Sequence, residues 1–434
     1  MSRSVNIVTL GCSKNVVDSE KLVKQLAYNG YKVEFDSDKA GSDIVIINSC
    51  GFINDAREES VDTILRFIRA KGNGDIGKLY VMGCLSERYK DDLRTWIPEV
   101  DQYFGVNDII PILNDLNSEF RDDLYSDRVL SGPGHFAYLK ISEGCDRTCS
   151  FCAIPGIRGK YISRRVEDLV DESRLLAQKG VKELILIAQD LSYYGVDIYK
   201  KQMLEQLVRE ISSKVGVNWI RLHYLYPANF PLEILRLMAD DPKVCMYIDL
   251  PIQHISDNVL TKMRRSHNEQ ETRYLLNRIR KDLPAAAIRT TLITGHPGET
   301  ERDFDKLVRF VEEFRFERLG VFTYSHEEST YGYDNYNDEI PEKVKRERAD
   351  IIMAIQQEIS LRENMELVGK ELKVIVDSRE GDHCIARTEY DSPEVDQEVL
   401  INVENRKLSP GMFAMVRIVD AGEYDLRGGL VRIL

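Results

Sequence analysis

The sequence predicts an α/β protein in three parts: an N-terminal parallel α/β sheet domain over residues 1–125, a central partial (β/α)6 barrel over 131–365, and a small C-terminal antiparallel β-barrel over 366–434. Three observations carry this. Short apolar runs alternate with helical patterns through the N-terminal part, six further strand–helix units follow, and the C-terminal stretch holds short strands with no helix between them.

In the first part, VNIVTLG, YKVEF, DIVIINS and KLYVMG read as strands, β-branched and nearly continuous in apolar character. Lys21 to Tyr28 fits a helix, and Val61, Ile64, Leu65 and Ile68 recur at helical spacing. The polar stretch DDLYSDRVLSGPGH then reads as a linker. The second part offers FAYLKIS, ELILIAQ, WIRLHYLY, CMYIDLPI, IRTTLIT and LGVFTYS as strands. Such a barrel places its active site at the carboxyl ends of the strands. A long helix is expected from about Pro341 to Leu367. Last come ELKVIVD, CIARTEY, EVLINV, FAMVRIV and GGLVRIL, with turn signals EGDH and SPGM between them.

The composition narrows the class. With 43% apolar and 30% charged residues the chain buries real cores, and no apolar run is long enough to span a bilayer. The opening MSRSVNIVTLGCSKNVVDSE meets charge too soon to read as a signal peptide, so a cytoplasmic, reducing location is expected. Lys and Arg number 59 against 72 Asp and Glu, a net charge of −13, which excludes the broad positive field of a general nucleic-acid binder.

Eight cysteines are the informative residues. Cys145, Cys149 and Cys152 form a C-x3-C-x2-C cluster on the loop after the first barrel strand. A cubane iron–sulfur cluster normally takes four thiolates, so three would leave one iron open to a substrate or cofactor. The alternative is zinc, but structural zinc wants four ligands; the nearest histidine, His135, lies beyond a whole strand, and no second knuckle exists. Cys12, Cys50 and Cys84 each end a strand of the N-terminal sheet. Carboxyl ends of parallel strands converge on one crevice, and Gly11, Gly51 and Gly83 beside the thiols let backbones approach. Three thiolates on one rim again suit a cubane with one open iron. Buried cysteine often only fills space, and that is the reading for Cys245 and Cys384.

C-x3-C-x2-C with Phe151 ahead of the last cysteine, on the first loop of a six-unit barrel, resembles the radical S-adenosylmethionine enzymes. Two three-cysteine sites in this order resemble one group among them, the methylthiotransferases, over essentially the whole chain. LGCSKNVVDSE from Leu10, CSFCAIPGIRG from Cys149 and HPGET from His296 carry the likeness. Where family members usually have Phe before the Pro, this chain has His296, which reads as a pocket liner because no partner for it is visible in the sequence. The resemblance implies two 4Fe–4S clusters, one held by Cys12, Cys50 and Cys84 and one by Cys145, Cys149 and Cys152, together with S-adenosylmethionine. It implies a C-terminal barrel of the TRAM type and an electron donor such as a flavodoxin or ferredoxin system. By family position Phe151, Gln189, Asp190, Gly295 and Glu299 line the S-adenosylmethionine pocket. Glu299 could equally be a carboxylate at a helix N-terminus, and Gln189 and Asp190 could simply cap a turn.

Two branches of the family differ in substrate: adenosine in transfer RNA, or the β-carbon of an aspartate in the small-subunit ribosomal protein S-twelve. From Glu366 to Leu434 there are nine Lys/Arg against fourteen Asp/Glu. A barrel that grips RNA should be positive, whereas a negative one suits a basic ribosomal protein. ARTEYDSPEVDQEV from Ala386, LGCSKNVVDSE and IAQDLSYYG from Ile187 also resemble the protein-modifying branch. Transfer RNA, and a non-catalytic zinc-binding protein, are the rival readings. The basic run KVKRER (343–348) reads as a solvated helix face.

Overall fold

The structure, a computed structural model, describes residues 3–37, 41–403 and 407–434. The chain compacts into two units that cut across the three sequence segments. One gathers residues 1–132, 138–147 and 153–176, the other 133–137, 148–152 and 177–434.

In the first unit, strands β1 (Ser4–Thr9), β2 (Lys32–Phe35), β3 (Ile44–Ser49), β4 (Lys78–Gly83) and β5 (Gln102–Tyr103) form one sheet in the order β2-β1-β3-β4-β5. Every pairing is parallel. Side chains alternate across the sheet. Ile7, Ile46 and Met82 pack on one face with Leu22 and Leu26 of the helix Ser13–Tyr28, whereas Val45, Ile47 and Val81 pack on the other with Ile64 and Phe67 of the helix Asn54–Gly72. The first helix is eight residues longer at its start than its apolar spacing suggests, because it begins immediately after Cys12.

The stretch expected as a linker is solvated only in part. Arg128 is fully buried, ion-paired with Glu20 at 2.8 Å and Glu172 at 2.9 Å, and Ser131 donates its amide to Glu20 at 2.9 Å. Asp122 and Asp123 of the same stretch stay exposed, so Arg128 alone of its charged residues is buried, a distinction composition does not make.

β6 (Phe136–Lys140) runs from the second unit into the first, and β7 (Ser142–Glu143) pairs antiparallel with β8 (Ile162–Ser163) in the first. In the second unit, β9 (Glu183–Ile187) is central to a sheet of order β10-β9-β6, with β10 at Trp219–Leu222. The His135 carbonyl just ahead of β6 accepts from the amides of Lys182 and Glu183 at 2.7 and 3.1 Å. β11 (Tyr247–Asp249), β12 (Ala287–Thr294) and β13 (Arg318–Thr323) form a second parallel sheet. An isolated parallel bridge, Ile220 to Val244, links the two sheets. All six expected strands are present, in two three-stranded sheets, and the long helix Glu342–Met365 follows them in the chain.

β14 (Glu371–Glu380), β15 (His383–Thr388), β16 (Val399–Asn402), β17 (Phe413–Ala421) and β18 (Leu426–Ile433) close into a barrel in the order β14-β15-β16-β18-β17. Four contacts are antiparallel and one, β16 with β18, is parallel. The purely antiparallel expectation needs that correction for a geometric reason: an odd number of strands cannot alternate direction all the way around a closed ring. Among the described residues no helix is long and apolar enough to cross a membrane.

Candidate functional site

Each cysteine of the N-terminal trio sits where a strand ends. Cys12 lies between β1 and the helix Ser13–Tyr28 and is that helix's N-cap residue; Cys84 opens the helix Cys84–Trp96 directly after β4. Helix N-termini present unpaired N–H groups and a positive dipole end, both of which favour a thiolate. Cys50 follows β3, its amide donating to Ser60 Oγ at 3.0 Å and its carbonyl accepting from the same hydroxyl at 3.0 Å. Gly11 has φ +89°, and a Cβ there would stand 2.7 Å from Cys50 Cβ, so only glycine lets these two loops meet.

Asn15 is the hub of this rim. Its amide donates to the carbonyls of Leu10 at 2.8 Å and Ser49 at 3.3 Å, the residues leading into two of the cysteine loops. Its oxygen accepts from Arg158 Nη2 at 2.6 Å, and the same nitrogen lies 3.5 Å from Cys84 Sγ. Burial pushes the Cys84 thiol up to about 12, against the pull of Arg158. Burial also raises Cys50. At Cys12 burial acts upward too, but the charges of Lys14 and Arg158 more than offset it and the thiol falls below its ordinary value.

The second trio lies on the loop where the chain passes between units, Cys145 in the first and Cys149 and Cys152 in the second. Cys145 donates its amide to the Gly159 carbonyl at 3.0 Å, and its sulfur accepts from the Arg147 amide at 3.4 Å. Beside it Gly144 has φ +75°, and a Cβ would meet the Lys160 carbonyl oxygen at 2.0 Å. In the second unit, Ser150 is fastened three ways: its amide to the Met263 carbonyl at 2.9 Å, its carbonyl to the Gly332 amide at 2.6 Å, and its hydroxyl to His296 Nε2 at 2.9 Å. His296 is therefore not an isolated imidazole. It is fully buried among the rings of Tyr324 and Tyr336 and holds the cysteine loop. Arg265 Nη1 reaches Cys149 Sγ at 3.6 Å, and its Nη2 donates to the Pro251 carbonyl at 2.6 Å.

Among the described residues, no three His, Cys, Asp or Glu side chains are drawn up around a single metal ion.

The expected pocket residues divide. Phe151 packs beside Met263, Ile293 and Tyr324. Gly295 and Glu299 come together after β12: the Gly295 amide donates to Glu299 Oε2 at 2.9 Å, and Arg348 Nη1 donates to Glu299 Oε1 at 2.6 Å. Glu299 precedes the helix Glu301–Phe314, whose N-cap is Thr300, so its carboxylate braces the loop and not the helix end. Asp190 accepts the Ser192 amide at 2.9 Å and so caps the turn, and Gln189 adjoins it after β9. The run KVKRER is a solvated face only in part. Lys345 and Arg348 are buried, Lys345 on Asp338 at 2.7 Å and Arg348 on Glu299, because the helix turns one face onto the barrel. Cys245 and Cys384 are fully buried among apolar side chains.

Burial raises the Glu299 carboxyl from 4.5 to about 7, with Arg348 pulling the other way. Between those values the folded chain keeps a proton the unfolded chain has lost. The stabilisation is complete below 4.5 and is lost as pH rises through about 7. Glu299→Gln is expected to flatten the fall of the unfolding midpoint across that window; parallel curves for the two proteins would contradict the assignment.

Sequence reasoning missed Arg158, Asn15, Ser150 and Arg265. The first three lie inside LGCSKNVVDSE and CSFCAIPGIRG, so their place beside the cysteines was the available signal.

Comparison with known proteins agrees with this layout. Residues 4–105 match the uncharacterized protein family UPF0004, residues 139–311 the radical SAM superfamily, and residues 368–431 the TRAM domain. The ribosomal protein uS12 methylthiotransferase RimO of Bacteroides fragilis is 52% identical over 99% of both chains, and that of Cytophaga hutchinsonii 53% over 99% of this chain and 98% of its own. The chain belongs to the RimO family. Among solved structures, a radical S-adenosylmethionine methyltransferase, TsrM, from Kitasatospora setae, with cobalamin and a 4Fe–4S cluster bound, superposes with TM-score 0.53 at 16% identity, over 74% of this chain and 75% of that one. That likeness concerns the fold alone. Within the RimO family layout, the matched superfamily segment carries Cys145, Cys149, Cys152 and Arg265, and the segment ahead of it carries Cys12, Cys50 and Cys84.

Proposed function

We propose that this chain is a radical S-adenosylmethionine methylthiotransferase that places a methylthio group on the β-carbon of an aspartate of ribosomal protein uS12. The observation that carries the reading is the presence of two separate cysteine trios in a chain that matches RimO relatives along its whole length. Cys12, Cys50 and Cys84 would hold one 4Fe–4S cluster, and Cys145, Cys149 and Cys152 the other. When bound, the clusters and S-adenosylmethionine supply reductive cleavage to a carbon radical at the second trio and sulfur delivery at the first.

The residues of the chain bind, orient and exclude. Ser150, fixed by Met263, Gly332 and His296, holds Cys149 and Cys152 in place. Arg265 offers a guanidinium beside Cys149, suited to the carboxylate of S-adenosylmethionine. Phe151 and its apolar neighbours keep water from that side, and Glu299 and Arg348 set the Gly295 loop. Gln189 and Asp190 line the same pocket from the end of β9. A reduced flavodoxin or ferredoxin supplies the electron, and the protein works in the cytoplasm.

The charge of the C-terminal barrel supports a basic protein as substrate. Asp391 and Asp396 are spent internally on Arg318 and Arg289, and Asp377 and the buried Arg387 pair with each other. Among the described residues nine acidic and six basic side chains of this segment remain exposed, so the surface keeps its negative sign.

Anaerobically reconstituted enzyme, incubated separately with uS12 and with transfer RNA, is expected to give a methylthio adduct on uS12 by mass spectrometry. An adduct on the RNA alone would overturn the substrate; zinc without iron or acid-labile sulfide would overturn the reaction. Gly144→Ala is expected to lose roughly half of the bound iron, since one of two clusters loses its loop. Full iron content in that variant would speak against the second trio as a ligand set.

A further inference from the structure

Arg158 carries a buried guanidinium in the first unit that takes no part in binding S-adenosylmethionine. It ends the short helix Ile154–Arg158, six residues beyond the last cysteine of the second trio, yet its guanidinium lies among the thiols of the first. Its side chain is 1% exposed. Nη2 reaches Asn15 and Cys84 Sγ, while Nη1 contacts Glu143 Oε1 at 2.9 Å and Asp18 Oδ2 at 3.4 Å. Lys140 shares both carboxylates, bonding Asp18 and, at 2.6 Å, Glu143. Two cations and two anions make a neutral foursome, and the member that faces sulfur is a cation.

We propose that Arg158 is a positioning residue that sets the reduction potential of the cluster held by Cys12, Cys50 and Cys84. The proposal rests on the reading that this trio holds a cluster. A donor to a ligand sulfur and a nearby positive charge both favour the reduced, more negative cluster, and hydrogen bonding and net charge are the levers by which proteins tune such potentials. Neutrality of the foursome makes the effect directional. Removing the arginine leaves an uncompensated anion beside the sulfur and lowers the potential, whereas neutralising Asp18 leaves an uncompensated cation and raises it. Through Asn15 the same guanidinium also steadies the two other cysteine loops, so structure and potential are both in its reach.

The test uses the full-length chain with Cys145, Cys149 and Cys152 replaced by Ala, so that one cluster is observed. Potentiometric titration followed by electron paramagnetic resonance is run on that parent and on Arg158→Met, Arg158→Lys and Asp18→Asn, with iron and sulfide measured in each. The expected result is a midpoint lowered in Arg158→Met by at least a tenfold change in the reduction equilibrium, 59 mV for one electron. Asp18→Asn should move the other way, and Arg158→Lys should fall between Arg158→Met and the parent. Shifts of the same sign in Arg158→Met and Asp18→Asn, or none with iron retained, would overturn the proposal, because a merely structural role moves both variants alike. Should Arg158→Met not fold, the near-isosteric Asp18→Asn and the charge-conserving Arg158→Lys still decide it by their opposite or absent displacement. A parent without iron and sulfide would instead overturn the cluster reading beneath it.

Discussion

Replacement of Cys145, Cys149 and Cys152 by Ala is expected to abolish 5′-deoxyadenosine formation, while replacement of Cys12, Cys50 and Cys84 leaves that cleavage in place and stops methylthio transfer to uS12. The asymmetry follows from the surroundings of the two trios. The second is carried on the barrel's first loop, after β6, with Ser150 pinned and Arg265 beside Cys149, a setting suited to a cofactor that must be held by its carboxylate. The first lies on the rim of a separate parallel sheet, next to two helix N-termini and a buried guanidinium, a setting suited to anionic sulfur. Liquid chromatography with mass spectrometry reads cleavage and transfer in one reaction, and iron and sulfide content shows which cluster is missing. Cleavage surviving loss of the second trio, or transfer surviving loss of the first, would reverse or remove the division of labour.

Arg128→Met is expected to destabilise the chain by about 3–5 kcal/mol, the cost of leaving buried partners of a broken ion pair. Arg128 bonds Glu20, is ion-paired with Glu172 and donates to the Tyr138 carbonyl at 2.6 Å, with no exposure to water. Glu172 keeps Arg164 at 2.6 Å, so most of the cost should fall on Glu20, which burial already raises against the pull of Arg128. Adding Glu20→Gln to Arg128→Met should therefore recover part of the loss. Urea unfolding followed by circular dichroism measures both. A single variant within about 1 kcal/mol of wild type would return residues 122–135 to the status of a loose connection.

Burial and pairing explain where reading of the sequence stopped short. The strands were visible because β-branched runs and helical spacing report how each element is packed, and the six ligand candidates stood out because a thiol ending a strand is a local pattern. Arg128 looked like part of a polar linker and Lys345 and Arg348 like a solvated face, since a charged residue is written the same way whether it meets water or a carboxylate. The acidic count of the C-terminal barrel gave the right sign, although Asp391 and Asp396 turned out to serve arginines of β12 and β13. His296 shows no partner in the sequence because Ser150 lies far away along the chain.

The sequence by itself determined the three-part α/β architecture, the two cysteine trios and the position of the first at strand ends, because periodicity and spacing are properties of neighbouring residues. Only the tertiary structure decided that Arg158 and Asn15 meet at Cys84, that His296 anchors the cysteine loop, and that Glu299 faces Arg348. Such contacts join residues distant in the chain, and their strength depends on exclusion of water, which stacking of the elements creates and no single segment encodes.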